Sequence, residues 1–143
     1  MLIEKCIQLN FKATGDSRGN MVVVEGGQAV PFDINRLFYI YGTDPEAVRG
    51  QHANRNSDFA MVCMCSSCKV KITDGTNEAI VSLDDPTKGI YIPRMLWKDM
   101  YDFSEDAVLM VMASTHYDAN EYIRDFEEYR KEMHERTAVG GLV

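Results

Sequence analysis

Seven short apolar segments, five to eight residues long and separated by Gly, Asp, Asn and Pro, run through residues 21–114 and leave few architectures open. They are "MVVVE" (21–25), "RLFYIY" (36–41), "FAMVCMC" (59–65), "CKVKI" (68–72), "EAIVSL" (78–83), "GIYIP" (89–93) and "AVLMVMAS" (107–114). β-Branched and aromatic residues dominate them, and no period of 3.6 passes through them. The intervening "TDGTN", "DDPTKG" and "FSED" are turn chemistry, because Gly, Asp and Pro supply backbone angles that strands do not. Many short strands at regular spacing predict an all-β fold, an antiparallel sandwich or barrel, rather than alternating βαβ units.

From Asp118 the pattern changes. "DANEYIRDFEEYRKEMHER" places Tyr122, Ile123, Phe126, Tyr129 and Met133 on one helical face, with Asp118 or Asn120 as caps. A barrel over about residues 1–115 followed by a helix over about 118–137 is expected, with the terminal "VGGLV" frayed. At 143 residues the chain suits one domain.

Charge narrows the function classes. A formal net charge of −7 repels nucleic acid and anionic membranes, and no apolar run approaches the ~18 residues of a membrane span. A small anionic ligand stays open, since a few converging arginines reverse the local potential. The start "MLIEKCIQLNFK" lacks the apolar core of a secretory signal, so a cytoplasmic address is expected, with Cys6, Cys63, Cys65 and Cys68 as reduced thiols.

"RGQHANRN" (49–56) raises the question of a cupin metal site, which uses two histidines two residues apart and further Glu and His ligands downstream. Asn54 stands at the partner position, and Trp97 and Lys98 stand where a later histidine would be required. One histidine does not make a transition-metal site, so no metal is expected. "CMCSSC" reads as buried strand residues rather than a ligand cluster. His134 falls in the charged helix and His116 at a strand end. His52, among Arg49, Gln51, Asn54 and Arg55 and beside Gly50, suits a base that takes a proton from an anionic substrate. "DSRGNM" (16–21) is by itself a tight turn.

Taken in order, "DSRG", "PFDINRLFYIY", "RGQHANRN", "CKVKITDG", "GIYIPRMLWKDMYDFSEDAVLMVMAS" and "YDANEYIRDFEEY" resemble the sugar-nucleotide 3,4-ketoisomerases over about residues 5–130. These are cupin-fold enzymes acting on dTDP-4-keto-6-deoxyglucose and similar to the dTDP-4-dehydrorhamnose 3,5-epimerases. The resemblance implies a cupin or jelly-roll barrel, a dTDP-linked 4-keto-6-deoxy sugar as substrate, and isomerisation through an enediol without metal or cofactor. It assigns His52 as catalytic base and puts Asn54 where many members carry a second histidine. Tyr101 and Lys98 fall in the segment expected to close the pocket, and Lys98 is expected to bear on which face of C4 is protonated. Arg18, Arg36 and Arg49 are candidates for the pyrophosphate and sugar oxygens; Tyr39, Tyr91 and Trp97 are candidates for packing on sugar or thymine. Arg18 in the "DSRG" turn looks like the members giving the galacto product, whereas the basic Lys98 looks like the branch giving 3-keto-6-deoxyglucose; the galacto product is expected.

A homodimer is expected, as are an aminotransferase and an acetyltransferase as pathway partners and an amino sugar for a surface glycan as the end product. Two other readings stand beside this one: a dTDP-sugar 3,5-epimerase, and a dTDP-sugar-binding accessory domain in which Asn54 marks impaired catalysis.

Overall fold

Residues 1–139 are described by a computed structural model. Its strands are β1 (Ile7–Asn10), β2 (Ala13–Asp16), β3 (Gly19–Val22), β4 (Arg36–Tyr41), β5 (Arg49–Asn54), β6 (Phe59–Cys65), β7 (Cys68–Thr73), β8 (Glu78–Leu83), β9 (Lys88–Ile92), β10 (Trp97–Tyr101), β11 (Val108–Ala113) and β12 (Tyr122–Ile123). One helix, α1 (Phe126–Ala138), follows. The expected tail falls largely on residues 140–143, which lie outside the described residues.

Two five-stranded antiparallel sheets make the barrel, in the orders β1-β9-β6-β11-β4 and β12-β5-β10-β7-β8, and β2 and β3 form a separate hairpin. This is the cupin, jelly-roll arrangement that the segment spacing and the motifs predict. Between the sheets lies the main core. Phe59, Met61 and Cys63 enter it from β6, Val70 and Ile72 from β7, and Leu109 and Val111 from β11. Each is an alternate residue of its strand, because successive side chains point to opposite faces. Full burial of a side chain such as Leu109 stabilises the fold by about 1.5–3 kcal/mol. A second cluster covers the outer face of the first sheet, where Ala60, Val62 and Met112 meet Val30, Phe32 and Ile34 from the segment before β4.

The expected helix over 118–137 is corrected at its start. Residues Ala119–Glu121 form a 3-10 turn, Tyr122–Ile123 pair with Asn54 and Ala53 as β12, and α1 begins only at Phe126. Asp125 is the cap, its carboxylate accepting from the Glu128 N–H at 2.9 Å. Ile123 is buried as predicted, but by sheet pairing, which overrides a helical period read through the polar residues around it. Tyr129 and Met133 do turn inward, and the Tyr129 hydroxyl donates to the Met95 carbonyl at 2.7 Å. The Arg55–Glu132 ion pair, 3.0 Å, ties α1 to the end of β5.

Candidate active site

"RGQHAN" is a strand with one extra residue. In the β5–β10 ladder Lys98 pairs with His52 and Asp99 with Gly50, which leaves Gln51 unpaired. Both bulge residues have positive φ, +82° at Gly50 and +56° at Gln51. Glycine is required at the first: a Cβ there would lie 2.9 Å from the Lys98 carbonyl oxygen and 2.9 Å from the Met100 side chain. The bulge has a direct consequence for side-chain direction. Arg49 and His52 are three residues apart and would face opposite sides of a regular strand, yet both line one interior cavity.

That cavity, about 220 Å³, lies between the sheets. Phe38 and Ile40 of β4, Phe59 and Met61 of β6 and Val111 of β11 form its apolar wall. Arg49, His52, Lys98, Tyr122 and Arg124 supply the polar one. The His52 Nδ1 lies 2.9 Å from the Gly50 carbonyl oxygen. A carbonyl only accepts, so Nδ1 carries the hydrogen of the neutral ring and Nε2 holds the free lone pair. Tyr122 packs beside the imidazole, with ring centroids 4.8 Å apart. Burial, followed by the nearby Lys98 charge, pushes the His52 pKa down to about 4.

Lys98 is 2% exposed, the most buried charged side chain of the protein's described residues. Its Nζ lies 4.5 Å above the Phe59 ring and 3.4 Å from both the Asn54 Oδ1 and the Leu96 carbonyl oxygen. Burial lowers its pKa to about 7, with the Glu121 carboxylate acting in the opposite direction. A base that is neutral at pH 7 therefore faces, across adjacent strands, an ammonium that titrates near pH 7. Separated pKa values of this kind suit acid and base roles in one site.

The other predicted residues divide between cavity and elsewhere. Arg49 reaches the cavity, and Arg36 lies beside it, over the Phe38 and Phe59 rings and 3.5 Å from the Tyr122 hydroxyl. The Nε and Nη2 of Arg36 are buried without a hydrogen-bond partner. Asn54 is fully buried behind Lys98 rather than on the cavity wall; its Oδ1 faces the ammonium and its Nδ2 has no partner.

Five of the expected site residues lie off the wall of this cavity, by strand alternation and position. Tyr39 points to the outer face of β4, 62% exposed against Tyr41. Tyr91 points to the outer face of β9, against Phe32. Trp97 turns away from Lys98 and packs under α1 on Phe126 and Tyr129, at 5.1 and 5.5 Å. Tyr101, four residues on along β10, shares that outward direction and pairs with Lys69. Arg18 sits in the exposed β2–β3 hairpin, paired with Asp16 at 2.6 Å, and does not line the His52 cavity. Conversely, Phe38, Phe59, Glu121, Tyr122 and Arg124 belong to the site or its support and were not singled out from the sequence. For Tyr122 and Arg124 the signal was present in "EYIRDF", but a helical reading puts Tyr122 on the apolar face of a helix and gives Arg124 no place beside β5.

An interior cavity in an antiparallel barrel, with an imidazole and an ammonium on neighbouring strands, has the groups that acid/base chemistry on a small ligand uses. The comparisons with known proteins identify the family. The FdtA family model (WxcM-like, C-terminal) matches residues 4–134. The chain is 41% identical over 123 residues to the TDP-4-oxo-6-deoxy-alpha-D-glucose-3,4-oxoisomerase of Aneurinibacillus thermoaerophilus, covering 86% of this chain and 88% of that protein. Among solved structures it is similar to a 3,4-ketoisomerase from Helicobacter canadensis, at 37% identity and TM-score 0.89, covering 91% and 98% of the two chains. It is equally similar in fold to a mutant of the 3,4-ketoisomerase QdtA from Thermoanaerobacterium thermosaccharolyticum in complex with TDP-4-keto-6-deoxyglucose, with 34% identity, TM-score 0.89 and coverage of 92% and 95%. The chain belongs to the FdtA family and is a sugar-nucleotide 3,4-ketoisomerase.

Proposed function

We propose that the protein converts dTDP-4-keto-6-deoxy-D-glucose into a dTDP-3-keto-6-deoxyhexose through an enediol. The observation that carries this reading is the His52–Lys98 pair in one cavity between the sheets. His52 Nε2 removes the C3 proton, the C3–H electrons form the C3–C4 double bond, and charge develops on the former C4 carbonyl oxygen. Lys98 donates to that oxygen, where a fixed cation in a water-poor site is most effective. Protonation of C4 and loss of the O3 hydroxyl proton complete the transfer. The reaction is redox-neutral, so no redox cofactor is required.

His52 is the only His, Cys, Asp or Glu among the cavity-lining residues, which otherwise bring Arg49, Lys98 and Arg124. That cationic donor set favours a substrate anion over a metal ion. At about 220 Å³ the cavity is below the ~300–1,000 Å³ that encloses a whole drug-sized ligand. It suits the sugar ring, with the diphosphate toward the exposed Arg49 and Arg124 and sugar oxygens toward Arg36. The likeness of "DSRG" to members giving 3-keto-6-deoxygalactose supports that product.

A 3-keto sugar is the acceptor an aminotransferase requires, and acetylation of the resulting amine leads to a 3-amino-3,6-dideoxy sugar for a surface glycan. Four free cysteines and a nucleotide-linked substrate fit a reducing cytoplasm. A homodimer is supported by the uncovered outer face of edge strand β4, where Leu37, Tyr39 and Tyr41 are 52%, 62% and 71% exposed.

Incubation with the substrate in D2O tests the reading. Deuterium is expected at C4 of the 3-keto product and, through the reverse reaction, at C3 of recovered substrate. Deuterium at C5 would instead identify a 3,5-epimerase, and dTDP binding without exchange would identify an accessory domain.

A further inference from the structure

Asn54 is wholly buried, yet only half of its amide is used. It lies two residues beyond His52 on β5 and so points to the same side of the strand, behind Lys98 rather than on the cavity wall. The Lys98 Nζ donates to the Asn54 Oδ1 at 3.4 Å, and Nδ2 has no partner. Turning the amide over brings no relief, because Nδ2 would then face the ammonium. A buried amide nitrogen left unpaired is costly, and an apolar side chain of the same size would avoid that cost. Nor does the strand need this side chain. Residue 54 is held through its backbone, which pairs with Tyr122 of β12 and whose carbonyl oxygen accepts from the Met95 N–H at 2.7 Å.

The bond from Met95 has a second effect. It secures the turn into β10, where the Leu96 carbonyl oxygen is the other acceptor for Lys98, also at 3.4 Å. With the Phe59 ring 4.5 Å away, two oxygens and an aromatic face surround the ammonium. An ammonium has three N–H donors. Asn54 and Leu96 take two, which leaves one for the occupant of the cavity that Lys98 lines. A cation seated in advance in this way needs no reorganisation when negative charge develops beside it.

We propose that Asn54 is a positioning residue of the isomerisation, its amide oxygen and the Leu96 carbonyl oxygen together holding the Lys98 ammonium so that the remaining N–H meets the C4 oxygen of the sugar. This rests on the reading of Lys98 as the donor to the developing oxyanion. Asn54 touches no substrate atom and acts through Lys98 alone.

The test is a double-mutant cycle, read by steady-state kinetics and, for the slow variants, by deuterium exchange over long incubation. Asn54→Leu keeps the volume and removes the acceptor. Its kcat should fall about 10–100-fold, the range of one hydrogen bond to a charged group, while KM and the calorimetric dTDP affinity stay near wild type. Asn54→Asp replaces the idle Nδ2 by oxygen and keeps the acceptor, so it should recover most of kcat. The double variant Asn54→Leu/Lys98→Met should be no slower than Lys98→Met, since a residue acting through Lys98 has nothing to act on once that side chain is gone. Asn54→Ala completes the same cycle should Asn54→Leu not fold. The proposal is overturned if removal of the acceptor leaves kcat at the wild-type value, or if the losses in the double variant multiply. Lys98→Met at full rate would sink the reading of Lys98 and this proposal with it, whereas a slow Lys98→Met beside a fast Asn54→Leu would sink this proposal alone.

Discussion

Lys98 and His52 are both held below their ordinary pKa values by burial, and the burial that would suit them to the proposed chemistry weakens the ligand-free protein. Between about pH 4 and 6.5 the unfolded chain binds more protons than the folded one through His52, and between about 7 and 10.5 it does so through Lys98. Stability of the ligand-free protein therefore rises with pH through each window and is lost as pH falls through it. Denaturant melts at pH 7 and pH 9.5 should show the gain, and Lys98→Met should flatten it. Replacing a buried ammonium by an apolar side chain of similar length should also stabilise the protein at pH 7 by about 1–4 kcal/mol, while exchange of substrate protons collapses. His52→Asn should lower deuterium incorporation by about 10²–10⁴-fold, the usual contribution of a general base. Calorimetry should find its dTDP affinity near that of wild type. Equal exchange rates in the two proteins would remove His52 from the mechanism.

At the scale of elements, β5 decides the site. A Cβ at position 50 strikes the Lys98 carbonyl oxygen, and the φ of +82° there disfavours any side chain. Gly50→Ala should therefore cost stability by about 1–3 kcal/mol and lower kcat/KM by displacing Lys98, as thermal melts and steady-state kinetics would show. This element also marks where the sequence was legible. The apolar segments 36–41, 59–65 and 78–83 match β4, β6 and β8 residue for residue, because each carries a short continuous or alternating apolar pattern bounded by turn residues. β1, β2, β5, β10 and β12 were not read as strands. They mix polar and apolar residues, and β5 and β10 do so because their inward positions hold His52 and Lys98 where a core would place apolar side chains. Residue roles followed the same divide. His52, Arg49, Arg36 and Lys98 stand out by chemical type at identifiable positions. The aromatics do not, because the bulge and the strand direction decide which of Trp97, Tyr101, Phe38 or Tyr39 faces inward, and neither leaves a mark in composition.

At the scale of the whole molecule, the barrel's two faces are treated differently. The outer face of the first sheet is covered by residues 22–34 over β9, β6 and β11, but not over β4. Leu37, Tyr39 and Tyr41 are left out on an edge strand. If this is where two copies pair, the double variant Tyr39→Lys/Tyr41→Lys should sediment as a monomer while the wild type sediments as a dimer. A wild type that sediments as a monomer at micromolar concentration would exclude that assembly. No helix among the described residues is long and apolar enough to cross a membrane.

The bulge at Gly50–Gln51 has a meaning for how such a site can change over time. Because Gln51 is the extra residue, exposed on the outer cleft rather than the cavity, its identity is disconnected from the chemistry on either side of it. Position 51 can drift through many side chains able to adopt a positive φ, while its neighbours at 50 and 52 each admit almost one. In a saturation library selected for turnover, the three adjacent codons should show a fixed, a permissive and a fixed position, an alternation set by backbone geometry that would be invisible to any reading of the three residues as one motif.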